Sequence, residues 1–158
     1  RLDVGDELSL AGNEGSVDLD GEVIAEGDVQ ATLLASQPLE IRADRFQIDL
    51  QQHKGRFSGA VEVTQGSLVL LCEELEVDYD TRTDLIQSVV ATGSVEIRQK
   101  DRLARGQRAE FDRVSGTVEL TGQPYLEQGK VHLRGSVIRF HVDGGEITCD
   151  GCQAVFEG

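Results

Sequence analysis

The stretch "GAVEVTQGSLVLLCEELEVDYD", residues 59–80, alternates apolar and polar side chains, breaks at Gln65-Gly66, and alternates again. A period of two marks a strand with one dry and one wet face, and a glycine break between two such runs reads as a tight turn. The stretch is therefore expected to be two antiparallel strands. Just upstream, "RFSGAVEVT" puts Phe57, Val61 and Val63 on one parity and Arg56, Ser58, Glu62 and Thr64 on the other. Gly59 falls on the dry parity, which predicts an inward-facing gap in mid-strand. A glycine in a strand interior marks a bulge, a bend or a close approach.

The same rhythm recurs along the chain. "GDVQATL" starts at Gly27, "GSVEIRQ" at Gly93, "GQPYLEQG" at Gly122 and "GCQAVFEG" at Gly151, at intervals of 29 to 34 residues. Between them run returning elements such as "LEIRADRFQIDL", "ARGQRAEFD" and "HLRGSVIRFHV". Gly93 lies in line with Ala91, Val95 and Ile97, and Gly122 with Val118 and Leu120. Helix is disfavoured by the β-branched content, the period of two and the 18 glycines. The expected fold is all-β: antiparallel strands that bend at the repeated glycine, so that the sheet folds over and its apolar faces meet. The residues expected to face inward are Phe46, Ile48, Phe57, Val61, Val63, Leu75, Val77, Val95, Ile97, Phe111, Val118, Leu120, Ile138 and Phe140. Outer strands at both ends are left unpaired, because stacking repeats does not close a sheet.

Composition bounds the function. At 158 residues the chain fits one domain with a real core. Hydrophobic residues make up 39% and aromatics only 4%, with no Trp or Met, so the core is aliphatic. Because position 1 is not Met, the chain is expected to be a processed or trimmed product. No apolar run reaches the roughly 18 residues of a membrane-spanning helix. A formal charge of −14 argues against nucleic acid as a partner. The local exception, with Arg98, Lys100, Arg102, Arg105, Arg108 and Arg113, is expected to be a solvated strand edge or loop.

Chemistry-bearing residues do not assemble into an active site. Cys149 and Cys152 form "CDGC", Cys72 stands apart, and with only His53, His132 and His141 to add, the spacing of a zinc site is incomplete. "EITCDGCQAVF" looks like a strand bend rather than the helix-opening redox motif, so these are expected to be small strand residues, with a disulfide possible in an oxidising compartment. No nucleophile, base and orienting group can be grouped, so catalysis, metal and cofactor are not expected.

The segments "RFSGAVEVTQGSLVLLCEELEVDYD" and "ARGQRAEFDRVSGTVELTGQPYLEQGKVHLRGSVIRF" resemble the OstA-like family of periplasmic lipopolysaccharide-transport proteins, the LptA type most closely. The family rhythm is a strand ending in Thr-Gly or Ser-Gly, a valine-rich strand, a Gln-Gly turn and a strand ending in Asp. Here it is carried by Ser58-Gly59, Gln65-Gly66, Thr121-Gly122, Gln128-Gly129 and the strands ending at Asp49, Asp80 and Asp112, over about residues 39–140. Residues 1–38 are extra repeat-like material within a single 1–158 domain, and leave open the membrane-anchored LptC-type sister. The resemblance implies a β-jellyroll, or folded β-taco, whose apolar groove holds the acyl chains of lipopolysaccharide. It also implies a periplasmic, non-enzymatic carrier joined head to tail, by strand addition, with itself and with LptC-type and LptD-type jellyrolls. A β-solenoid scaffold without a ligand is the competing reading, against which the long repeat interval counts.

Overall fold

The structure, a computed structural model, describes residues 2–4, 8–11, 14–17, 22–33, 39–49, 51–80, 85–112, 115–141 and 146–156. All described regular structure is strand. Short strands come first: β1 (Leu2–Val4), β2 (Leu8–Ala11) and β3 (Glu14–Val17). Six long ones follow: β4 (Glu22–Leu33), β5 (Leu39–Asp49), β6 (Lys54–Gln65), β7 (Leu68–Asp80), β8 (Leu85–Gln99) and β9 (Arg102–Asp112). The chain then returns to short strands: β10 (Thr117–Thr121), β11 (Tyr125–Gln128), β12 (Val131–Arg134), β13 (Val137–His141), β14 (Ile147–Asp150) and β15 (Gln153–Phe156). Neighbours pair antiparallel in the order β1-β2-β4-β5-β6-β7-β8-β9-β10-β13-β14, and β9 also pairs with β11, which continues through β12 to β15.

That second path from β9 shows how the sheet is folded. Residues 102–105 of β9 pair with β11, while residues 108–112 pair with β10. At the other end β4 divides in the same way, giving residues 30–33 to β2 and 23–26 to β3. Each long strand therefore serves two walls joined along a crease. The first wall leads to β11, β12 and β15, and the second to β10, β13 and β14.

The crease is written in glycine. Gly27-Asp28, Gly59-Ala60, Gly93-Ser94 and Gly122-Gln123 are consecutive residues with positive φ, for example 81° and 46° at Gly59-Ala60. An L-residue pays for that region in sterics, so the pair needs glycine in its first place. Ser58 pairs with Glu74 and Val61 with Cys72, so two residues, Gly59 and Ala60, face the single Glu73. Gly27-Asp28 faces Asp44, and Gly93-Ser94 faces Gln107, with the same two-against-one count. Such bulges bend the strand and raise its twist. Aligned on successive strands, they fold the whole sheet.

The glycines do not point inward, contrary to their parity. A Cβ added at Gly59 would lie 2.6 Å from Asp44 Oδ2, and one at Gly122 or Gly93 would meet the side chain of Gln107 or Glu73. Asp44, Glu73 and Gln107 are all exposed. The positive φ pair turns the glycine to the outer side of the bend, where it makes room for a neighbouring polar side chain.

Between the walls lies one continuous apolar cluster, from Val29 in β4 to Phe140 in β13. The outer faces carry ion pairs between adjacent strands, among them Arg56 with Glu74 and Glu76, Arg105 with Glu96, and Arg139 with Glu119 and Asp150. Their arginines are roughly half exposed, so water and salt screen each pair, and the pairs mark the solvated face rather than holding the fold.

Candidate functional site

The apolar interior is the feature of this fold with the chemistry to receive a ligand. It holds Phe46, Ile48, Phe57, Val61, Val63, Leu75, Val77, Val95, Ile97, Val118, Leu120, Ile138 and Phe140, each no more than 6% exposed. Phe111, the fourteenth inward residue expected, is half-buried and packs against the same cluster. The two walls differ in bulk. Phe46, Phe57, Phe111 and Phe140 all sit in the second wall, with the rings of Phe46 and Phe57 4.5 Å apart. Facing them, the first wall offers smaller groups, including Ala31, Ala43, Val61 and Ala104. Residues of both walls are buried in the same apolar cluster. The interior is thus filled by its own side chains. The far ends of the two walls are not hydrogen-bonded to each other by any described strand pair. A mouth therefore runs along the rims opposite the crease.

Period counting missed part of this lining. On β5 the buried residues are Ile41 and Ala43, then Phe46 and Ile48; on β7 they are Leu68 and Cys72, then Leu75 and Val77. On β9, Ala104 and Ala109 are likewise on opposite parities. The parity changes at Asp44, Glu73 and Gln107, the single residues facing each glycine pair. The signal was present as a misplaced acid or amide in an otherwise alternating run. Cys72 belongs to this missed set; burial pushes its thiol up to about 12, so it is an inert core group.

Arg102 is the other surprise. Of the basic stretch, Arg98, Lys100, Arg105 and Arg108 are exposed as expected, and Arg98, Arg105 and Arg108 pair with Glu96 or Glu110. Arg113 lies outside the described residues. Arg102 is only 7% exposed and points inward, against the expectation of a solvated edge. Its guanidinium lies 5.2 Å from the centre of the Phe140 ring, and Nη1 donates a long 3.5 Å hydrogen bond to the His141 carbonyl. Its Nε is buried without a partner. Arg102 begins β9 at the rim of the first wall, and His141 ends β13 at the rim of the second, so this side chain spans the mouth.

The remaining polar residues assemble no catalytic group among the described residues. His132 and His141 stand on opposite walls, and His132 Nδ1 is engaged by the Tyr125 hydroxyl at 2.6 Å. No cluster of metal-ligating side chains occurs among the described residues. Cys149 and Cys152 are joined in a disulfide across Gly151, where the chain crosses the crease from β14 to β15.

Comparison with known proteins fits this geometry. A solved structure, LptH, "the LptA homologous periplasmic component of the conserved lipopolysaccharide transport device from Pseudomonas aeruginosa", superposes with a TM-score of 0.64 over 78% of this chain and 97% of its own, at 21% identity. That likeness carries the fold: an unclosed, folded antiparallel sheet. An uncharacterised protein of Rhizobium meliloti (strain 1021) is 30% identical over 126 residues, covering 73% of this chain and 67% of that protein. Residues 40–146 match the family model described as "LptA/(LptD N-terminal domain) LPS transport protein". The chain therefore belongs to the LptA/LptD N-terminal domain family, a non-enzymatic family of lipopolysaccharide-transport proteins.

Proposed function

We propose that this chain is a periplasmic carrier that holds the acyl chains of lipopolysaccharide between its two walls and passes them on without chemical change. The observation that carries the proposal is the continuous apolar interior of an unclosed sheet, in a chain of a lipopolysaccharide-transport family. Hydrocarbon needs no polar recognition, and each methylene taken out of water is worth about 0.8 kcal/mol. Because the interior is already filled, a guest must part the walls and trade wall-to-wall contact for wall-to-lipid contact. The two nearly offset, which suits a carrier that must release its cargo. The inward residues named above are the proposed acyl-chain lining. Residues 1–38, whose Gly27-Asp28 kink repeats the crease, are proposed to extend the same domain.

A photo-crosslinking residue at Phe57 or Phe111 should label lipopolysaccharide, whereas one at outward Glu62 or Glu96 should not. Equal labelling from both faces of a folded protein, or none from within, would sink the carrier reading.

A further inference from the structure

The chain carries 29 acidic residues, and Arg45, Arg56, Arg98, Arg105, Arg108 and Arg139 each pair with one on a neighbouring position of the outer face. The most buried arginine does not. No ion pair reaches Arg102 among the described residues, and its Nε has no partner. A buried guanidinium in that state is destabilising, and an apolar residue of similar volume would be the more stable choice. Its neighbours are not apolar either. Arg102 pairs directly with Gln99 on β8 and Gln128 on β11. Directly opposed residues of antiparallel strands point to the same face, so both amides share the inner side with the buried arginine. The turns flanking this row carry the exposed Lys100 and Lys130. In a protein of net charge −14, one length of the mouth therefore gathers a guanidinium, two lysines and two amides around an apolar slot, with the exposed Asp101 as the acid beside Lys100.

We propose that Arg102 is an anion-binding residue at the mouth of the groove, receiving a phosphate carried by an acylated ligand while the acyl chains lie between the walls. This rests on the carrier reading above. The planar guanidinium can hold two phosphate oxygens at once, and a charge-assisted pair is about twice as strong as a neutral one. With the walls closed on each other it rests on the Phe140 ring and the His141 carbonyl, which hold its charge only weakly. Parting the walls to admit a lipid frees it from both. Gln99 and Gln128 offer amide N–H groups beside it.

The test compares binding of diphosphoryl lipid A and of the same lipid with its phosphates removed, to the wild type, Arg102→Gln and Arg102→Lys. The wild type should prefer the phosphorylated form by about tenfold, the scale of one charge-assisted hydrogen bond. Arg102→Lys should keep part of that preference. Arg102→Gln should bind both forms alike, with the affinity the wild type shows for the dephosphorylated lipid. Its melting temperature should equal or exceed that of the wild type, since a buried charge has been removed. If Arg102→Gln keeps the full preference, the assignment is overturned while the carrier reading stands. Equal loss of both lipids in both variants, with a lower melting temperature, would make Arg102 a strut between the walls and also overturn it. If the wild type binds neither lipid, the carrier reading fails and the phosphate site with it. Inorganic phosphate supplies the last arm: binding to the wild type as tight as the lipid's, lost in Arg102→Gln, would assign a free-anion site and reject the lipid headgroup.

Discussion

Gly59 shows what a single residue does in this fold. Its φ of 81° and the 46° of Ala60 place two left-handed residues in succession, and a Cβ at Gly59 would lie 2.8 Å from the Cβ of Asp44. Two costs are therefore distinct, backbone strain of about 1–3 kcal/mol and a side-chain clash. Gly59→Ala should destabilise by about 2 kcal/mol in denaturant unfolding. Adding Asp44→Gly should return only the steric share, leaving the strain; full recovery in the double variant would show that the backbone conformation is not the constraint. The position of the glycine could be read from the sequence, because it recurs in order. Its orientation could not, since parity holds only while the backbone stays extended.

At the scale of the element, the same bulge explains why some linings were readable and others hidden. On β6 and β8 the glycine pair inserts two residues, an even number, so Phe57, Val61 and Val63 keep one parity and so do Ala91, Val95 and Ile97. On β5, β7 and β9 the facing strand inserts one residue and the dry face changes parity. That is why Leu75 and Val77 were found from the alternation and Leu68 and Cys72 were not. Alanine compounds the loss: Ala43, Ala104 and Ala109 line the interior but carry little hydrophobic signal. Arg102 was hidden by its chemistry, because a lone basic residue in a basic stretch reads as solvated. The last two strands carry their own device, the Cys149–Cys152 disulfide at the point where β14 passes into β15. It closes a very short loop, for which chain entropy gives about 2 kcal/mol. Among the described strands those two pair on one side only, so its effect should be local. Reduction, or Cys149→Ala with Cys152→Ala, should raise amide exchange throughout β14 and β15 while the global melting temperature falls by no more than about 4 °C. Unchanged exchange there would mean that strand pairing alone holds this end.

For the molecule as a whole, the repeat, the strand pattern and the meeting of two apolar faces were legible in the sequence. It could not show that both ends finish in the same way. At the C-terminal end β15 closes the first wall and β14 the second; at the other end β1 continues the first wall through β2, and β3 lies on the second. Among the described strands, each end thus offers one open strand per wall, and an open strand edge is a template for another chain. A second copy placed end to end could continue both walls at once, β1 against β15 and β3 against β14, carrying the apolar interior across the junction. Opposing this is the charge of −14 on every copy, a repulsion whose reach shrinks to about 8 Å at physiological salt. Light scattering should therefore show oligomers growing with protein concentration and, at fixed concentration, growing further with added salt. Gln153→Pro and Ala154→Pro, each made alone, sharpen the test, because adjacent residues of an edge strand point their N–H groups to opposite sides. The variant that keeps the wild-type melting temperature has lost an outward donor, and it should stay smaller at every salt concentration. Identical growth in that variant would place the contact elsewhere on the surface, and a wild type that remains a monomer at high concentration and high salt would restrict strand addition to unlike partners.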